Sequence, residues 1–130
     1  MADTVAEHLQ VKKGESIAIV GASPEQRELL MPLPQGSAEA SVDDAAGVFV
    51  FSPTLAALHD DLTALLPRLA RARVVWICYP KGGRSELNRD VIARAVQEHG
   101  WRGIGNRPLG DEWSAVRVRP LRADEEAPLR

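Results

Sequence analysis

Three short runs constrain this chain more than anything else in it: "IAIV" at 17–20, "GVFVFS" at 47–52 and "ARVVWICY" at 72–79. Each is almost unbroken in apolar character. A strand with one wet face alternates apolar and polar residues, because successive side chains point to opposite faces of the sheet. An unbroken run has no wet face. Such strands belong in a sheet covered on both sides, which in practice means parallel strands joined by helical crossovers.

Helix starts follow these runs. After the first, Ser23-Pro24-Glu25-Gln26 supplies an N-cap serine, a proline at the first helical position and a glutamine three residues after the cap. The spacing predicts a helix over 24–31, stopped by Pro32 and Pro34. After the second run, Ser52-Pro53-Thr54 opens a helix by the same serine–proline device. Leu55, Leu58, Leu62, Leu65, Leu66 and Leu69 give it an apolar stripe, and Pro67 should break it. After the third run, Asn88 is placed to cap a helix from Arg89 to about His99, and Gly100 stands where a left-handed residue closes it. Asp3 is placed to cap a short helix over 4–10. The segment 38–42 reads as a short edge strand. Runs at 102–107 and 113–119, with Pro108, Gly110 and Asp111 between them, read as a terminal hairpin.

This order predicts one α/β domain over residues 1–119: a Rossmann-like, mostly parallel sheet flanked by helices and ending in an antiparallel β-hairpin. It resembles a shortened form of the fold of class I methyltransferases, an analogy that implies no activity by itself. Residues 120–130 read as a polar, flexible tail. The chain has 130 residues, 45% of them hydrophobic and 26% charged, which fits a soluble globular domain with a real core. No apolar run approaches the roughly 20 residues needed to cross a bilayer, and the N-terminus lacks the pattern of a secretory signal. One cysteine, Cys78, allows no internal disulfide, and a reducing bacterial-type cytoplasm is expected.

Charge is uneven. Residues 1–67 carry 3 basic and 10 acidic groups, a net −7; residues 68–119 carry 11 basic and 5 acidic groups, a net +6. This asymmetry marks either an anion-binding or self-associating face, or a solvated surface on which the signs mix after folding. The total of −2 and the dispersion of Trp76, Trp101 and Trp113 argue against nucleic-acid binding.

In open parallel sheets, ligands bind beyond the carboxyl ends of the strands. Three segments should meet there: Gly21-Ala22-Ser23, Ser52-Pro53-Thr54, and the loop from Tyr79 through Lys81, Gly82, Gly83 and Arg84. The first, "VGASPE", has one glycine and a proline in place of a glycine-rich loop. Gly21 there serves a tight strand-to-helix turn, and a cofactor pocket is absent or reduced. Glu39, Asp43 and Asp44 offer a ribose-binding carboxylate without clear register. The third segment admits two readings. Lys81 and Arg84, beside two glycines and a helix start, form a small-anion site; or the glycines make the turn and both cations are solvated, so that Lys81→Ala leaves the fold intact. Tyr79 offers a flat contact to a ligand ring, or is core with its hydroxyl at the rim. Cys78 is a small buried hydrophobe, or a thiol activated by Lys81 and Arg84. His8, His59 and His99 are scattered and suggest no metal site. Asp60 and Asp61 read as the wet face of a helix. No nucleophile elbow and no paired carboxylates are evident.

The blocks "LQVKKGESIAIVGASPE", "MPLPQG", "VVWICYPKGGRSELNRD" and "DEWSAVRVR" resemble the bacterial domain of unknown function 3052 family over about residues 8–119. The carriers are Trp76, Tyr79, Pro80 and Lys81, then Glu86-Leu87-Asn88-Arg89-Asp90, then Asp111-Glu112-Trp113-Ser114. Glu86 stands where that family has aspartate, and the preceding loop is shorter. The resemblance implies a Rossmann-like domain with no established activity. It draws attention to a cluster of Asn88, Arg89, Asp90 and Trp113. Arg89 would tie its helix to the hairpin, and Trp113 would pack on that helix near the Tyr79–Arg84 loop.

Two functional readings follow. The first is a non-catalytic binding or regulatory domain with a protein partner or a second copy of itself, which residues 113–119 would meet as an open sheet edge. Arg117 and Arg119 would otherwise protect that edge. The second is a degenerate methyltransferase-like enzyme, or a small-anion or nucleotide-binding protein, using Gly21, Ser23, Ser52 and the Tyr79–Arg84 loop. Neither reading calls for a metal, and no cofactor is assigned.

Overall fold

The structure, a computed structural model, describes residues 4–69, 72–82 and 86–121. In chain order the elements are α1 (Val5–His8), β1 (Ile17–Val20), α2 (Pro24–Glu28), β2 (Gly47–Phe51), α3 (Leu55–Leu65) with a 3-10 turn (Leu66–Arg68), β3 (Val74–Pro80), α4 (Arg89–Gln97), β4 (Trp101–Leu109) and β5 (Trp113–Pro120). The five strands form one sheet in the order β1-β2-β3-β5-β4. β1, β2 and β3 are mutually parallel, and β5 is antiparallel to both of its neighbours, β3 and β4. β4 therefore points the same way as β1–β3, and β5 alone is reversed. The fold class expected from the apolar runs is the one observed.

The unbroken runs do lie between two covered faces. Val48, Val50, Val75, Ile77, Val116 and Val118 face a layer built from Leu58, Leu62 and Leu65 of α3 and Ile92, Ala95 and Val96 of α4. On the other face, Phe49, Phe51, Val74, Trp76, Cys78 and Ala115 meet Ala6 of α1, Leu9 at its end and Leu30, just after α2. The Trp76 indole nitrogen donates to the Leu9 carbonyl at 2.7 Å, so the largest core side chain also anchors α1. Gly47 is required here: a Cβ at this position would lie 2.8 Å from a methyl of Val11.

The helix ends follow the sequence with specific differences. Ser23 caps α2 through a reciprocal box with Gln26, and Asn88 caps α4 by accepting from the Val91 amide. Gly100 takes the left-handed conformation expected of it, at φ +81°. Pro67 sits in the 3-10 turn that ends α3. α1 is capped by Thr4 in a box with Glu7; Asp3 lies outside the described residues. α3 is capped by Thr54, not Ser52, because Ser52 is drawn into the core. The expected strand at 38–42 reduces to a single bridge between Glu39 and Ile17, since its polar residues have no second face to bury. Residues 113–119 are not a sheet edge: β5 is an interior strand, and the edge strands are β1 and β4. The reason is the reversal of β5, which inserts it between β3 and β4. Of the expected tail, residues 122–130 lie outside the described residues. None of the described helices is long and apolar enough to cross a membrane.

Candidate functional site at the carboxyl edge of the sheet

The parallel strands end at Val20, Phe51 and Pro80, and β4 ends beside them at Leu109. The segments Gly21–Ser23, Ser52–Thr54, Lys81–Gly82 and Gly110–Glu112 thus leave the same edge, as the sequence suggested for the first three. Gly83 and Arg84 lie outside the described residues. The hairpin turn is the fourth member: the direction of β4 puts it there and sets Trp113 beside Pro80, near the Tyr79–Arg84 loop as expected.

The side chains at this edge are mostly turned inward. Gly21 has φ +74°, and a Cβ on it would stand 2.8 Å from the Phe51 carbonyl oxygen. The ends of β1 and β2 are therefore in close contact. Ser52 is fully buried; its hydroxyl donates to Asp61 Oδ2 at 3.2 Å and its amide to the Cys78 carbonyl. Asp61 is consequently not on a wet face. Burial raises its pKa, the Ser52 hydrogen bond opposes that, and neighbouring Asp60 adds to it. Ser23 is exposed, and its hydroxyl accepts from the Gln26 amide. Tyr79 is buried, with its hydroxyl donating to Asn106 Oδ1 at 3.2 Å. The Ser114 hydroxyl bonds the Arg107 carbonyl at 3.1 Å and lies 3.4 Å from the same Asn106 oxygen.

Lys81 is half-buried rather than solvated. Its Nζ donates to the Gly110 carbonyl at 3.1 Å and its amide to the Glu112 carbonyl, fastening β3 to the hairpin turn. Gly82 is exposed at φ +80°, with nothing near the place a Cβ would occupy. Cys78 is wholly buried and burial pushes its thiol pKa far up, which is the opposite of activation by cations. The Phe51 and Trp113 rings meet edge-on at 5.3 Å. Trp113 therefore packs on the face opposite α4, away from Asn88, Arg89 and Asp90. Those three stay together at the start of α4, where Arg89 and Asp90 are 3.5 Å apart and largely exposed. Strand alternation separates the expected cluster: Trp113 and Ala115 point to the α1 face, Val116 and Val118 to the α4 face.

What remains open at this edge is a hollow of about 300 Å³ beside α2, lined by Ser23, Glu25, Gln26, Asp111, Glu112 and Trp113. Its charged side chains are all carboxylates. The structure also pairs two histidines that the sequence holds 40 positions apart: His59 Nδ1 and His99 Nε2 are 3.4 Å from each other, between α3 and the end of α4. Among the described residues, no group of three metal-ligating side chains lies together.

No family model matches the sequence, and no curated protein matches it. Solved structures do match in three dimensions. A protein of the NADB-Rossmann superfamily from Streptococcus agalactiae superposes with a TM-score of 0.60 at 8% identity, over 98% of this chain and 73% of that one. The M1A22 tRNA methyltransferase TrmK from B. subtilis gives 0.59 at 10%, over 89% of this chain and 63% of that one. A SAM-dependent methyltransferase from Aquifex aeolicus gives 0.56 at 12%, over 88% and 86%. The chain has a Rossmann-like, methyltransferase-type fold. At such identities the likeness concerns the fold alone.

An adenosyl cofactor on this fold would need backbone approach after β1 and a free carboxylate for its ribose. Among the described residues, those the sequence offered for it do not fit that need. Gly21 faces Phe51, and the Ser52 hydroxyl is committed to Asp61. Glu39 is paired with Arg27, and Asp43 with Arg68, whose bonds hold its carboxyl below the usual range. Asp44 accepts from Ser41.

Proposed function

We propose that this chain is a non-catalytic binding or regulatory domain on a methyltransferase-type scaffold, acting through a protein partner or a second copy of itself. One observation carries the reading: among the described residues of the carboxyl edge, Ser23, Ser52, Tyr79 and Lys81 are spent on internal bonds, with Ser52 on Asp61 as the central case. The resemblance to the domain of unknown function 3052 family and a cytoplasmic setting belong to the same reading. The outer edge of β4 is the surface it offers. There Ile104 is 41% exposed, and a bulge at Gly103/Gly105 interrupts the ladder to β5. The bulge, Pro108 and the flanking arginines discourage indiscriminate strand pairing, so a partner must suit that edge specifically.

The likeness to methyltransferases favours a second reading, in which a degenerate enzyme or a small-anion or nucleotide-binding protein uses Gly21, Ser52 and the Tyr79–Arg84 loop. Calorimetric titration of the purified chain with S-adenosylmethionine separates the two. The first reading expects no saturable heat. Stoichiometric binding that Ser52→Ala or Lys81→Ala weakens would establish the second. Sedimentation over a wide concentration range then tests self-association: Ile104→Asp should shift any dimer toward monomer.

A further inference from the structure

The amino-terminal end of the sheet, opposite the edge just described, holds a second hollow of about 700 Å³. Four cations line it: Lys12 and Lys13 after α1, Arg73 just before β3, and Arg117 reaching across from β5. No sequence segment joins them; three elements bring them together. The carboxylates nearby are already engaged. Glu15 accepts two bonds from Arg73, at 2.8 and 2.5 Å, and Glu7 is held in the α1 capping box.

Arg117 is the unusual member. It is half-buried, and among the described residues its guanidinium bonds only the side-chain oxygen of Gln10 and meets no carboxylate. Burial and the positive charge of Arg73 both push its pKa down. Gln10 holds this arrangement in place. It takes a left-handed φ of +72°, which costs a non-glycine residue roughly 1 kcal/mol. In that conformation its carbonyl accepts from Arg73 at 2.5 Å while its side chain accepts from Arg117. One strained residue thus sets two guanidinium groups side by side. Arg73 Nη1 and Arg117 Nε and Nη2 find no acceptor among the described residues. Two like charges side by side, one of them half-buried, are stabilised by an anion placed between them.

We propose that this hollow binds a compact dianion of the phosphate class, either inorganic phosphate or the terminal phosphoryl group of a small molecule. Arg117 and Arg73 grip its oxygens and Lys12 and Lys13 close the rim. After Glu7 and Glu15 are counted, the four cations leave a charge of about +2, which a dianion matches better than a single carboxylate. The guanidinium forks supply directional donors and the lysines act as point charges. The site is independent of whether the carboxyl edge holds a ligand.

The test is titration of the purified chain with inorganic phosphate, with AMP and ADP, and with chloride at matched ionic strength. Amide shifts of residues 10–13 and 117 and calorimetric heat are the readouts. Saturable shifts with phosphate but not chloride are expected, and Arg117→Gln should weaken binding about 10-fold or more. Tighter binding of ADP than of phosphate would identify a phosphorylated small molecule as the source; equal binding would identify the free ion. Arg117 lies in an interior strand, so Lys12→Ala with Lys13→Ala, at exposed positions, provides a second variant that should weaken binding several-fold. Shifts that chloride reproduces, or affinity unchanged in both variants, would overturn the proposal. So would tighter binding of a short single-stranded RNA than of ADP.

Discussion

A single atom decides what Gly21 is for. Its φ of +74° and the 2.8 Å approach of a Cβ to the Phe51 oxygen make Gly21→Ala a backbone change as well as a clash, and it should cost about 1–3 kcal/mol in denaturant midpoint measurements. Two carboxylates give opposite pH signatures. Glu15 is pulled from its ordinary 4.5 to about 2, chiefly by hydrogen bonds from Arg73. The native state therefore binds that proton more weakly than the unfolded chain. Its stabilising effect is complete above pH 4.5 and fades as pH falls toward 2, so Glu15→Gln should show a shallower acid limb in melting temperature against pH. Asp61 is shifted the other way, upward from 3.8, chiefly by burial. The native state holds this proton more tightly, so stability declines as pH rises from 3.8 through the raised value. Asp61→Asn keeps an acceptor for Ser52 and should show a smaller loss of melting temperature between pH 4 and pH 7.

Among the elements, α1 shows how a four-residue helix persists. A segment this short has no intrinsic stability in water. It is held by its capping box, by Ala6 and Leu9 in the core, and by the Trp76 indole on the Leu9 carbonyl. Trp76→Phe keeps most of the ring volume but leaves that buried carbonyl without its donor. It should cost roughly 1–3 kcal/mol in chemical denaturation. Exchange should rise first in the amides of α1, because the lost bond is its tether. At α4, Asn88→Ala removes the side-chain cap on the Val91 amide and should cost about 1 kcal/mol. The His59–His99 contact ties the far end of α4 to α3.

Across the whole molecule, the order β1-β2-β3-β5-β4 puts β2 and β3 at the centre and leaves β4 on the edge. Amide exchange should be slowest in Val48–Val50 and Val75–Cys78, which are buried on both faces, and fastest among strand residues at 104–107. The same order sorts charge. Lys12, Lys13, Arg73 and Arg117 collect at the amino end, while Glu25, Asp111 and Glu112 collect around the hollow at the carboxyl end. The sign change along the sequence, from acidic to basic near residue 68, does not describe this surface: Lys12 and Lys13 come from the acidic stretch and Asp111 and Glu112 from the basic one.

Local chemistry along the chain was enough for the sheet class and most helix ends. Unbroken apolar runs can only be satisfied between two covered faces, and caps act over three or four residues, well within local reach. Ser23, Asn88, Pro67 and Gly100 were legible for that reason. Strand order was not, because it depends on where a reversed strand inserts. With it went the identity of the sheet edge, the placement of Trp113 opposite α4, and the hairpin turn at the carboxyl edge. The burial of Ser52 on Asp61, the meeting of His59 with His99, and the gathering of Lys12, Lys13, Arg73 and Arg117 were equally beyond reach. Apart from Ser52 and Asp61, which depend on how β2 turns into α3, those groups lie far apart in the chain, and only the closed geometry of the folded sheet brings them together.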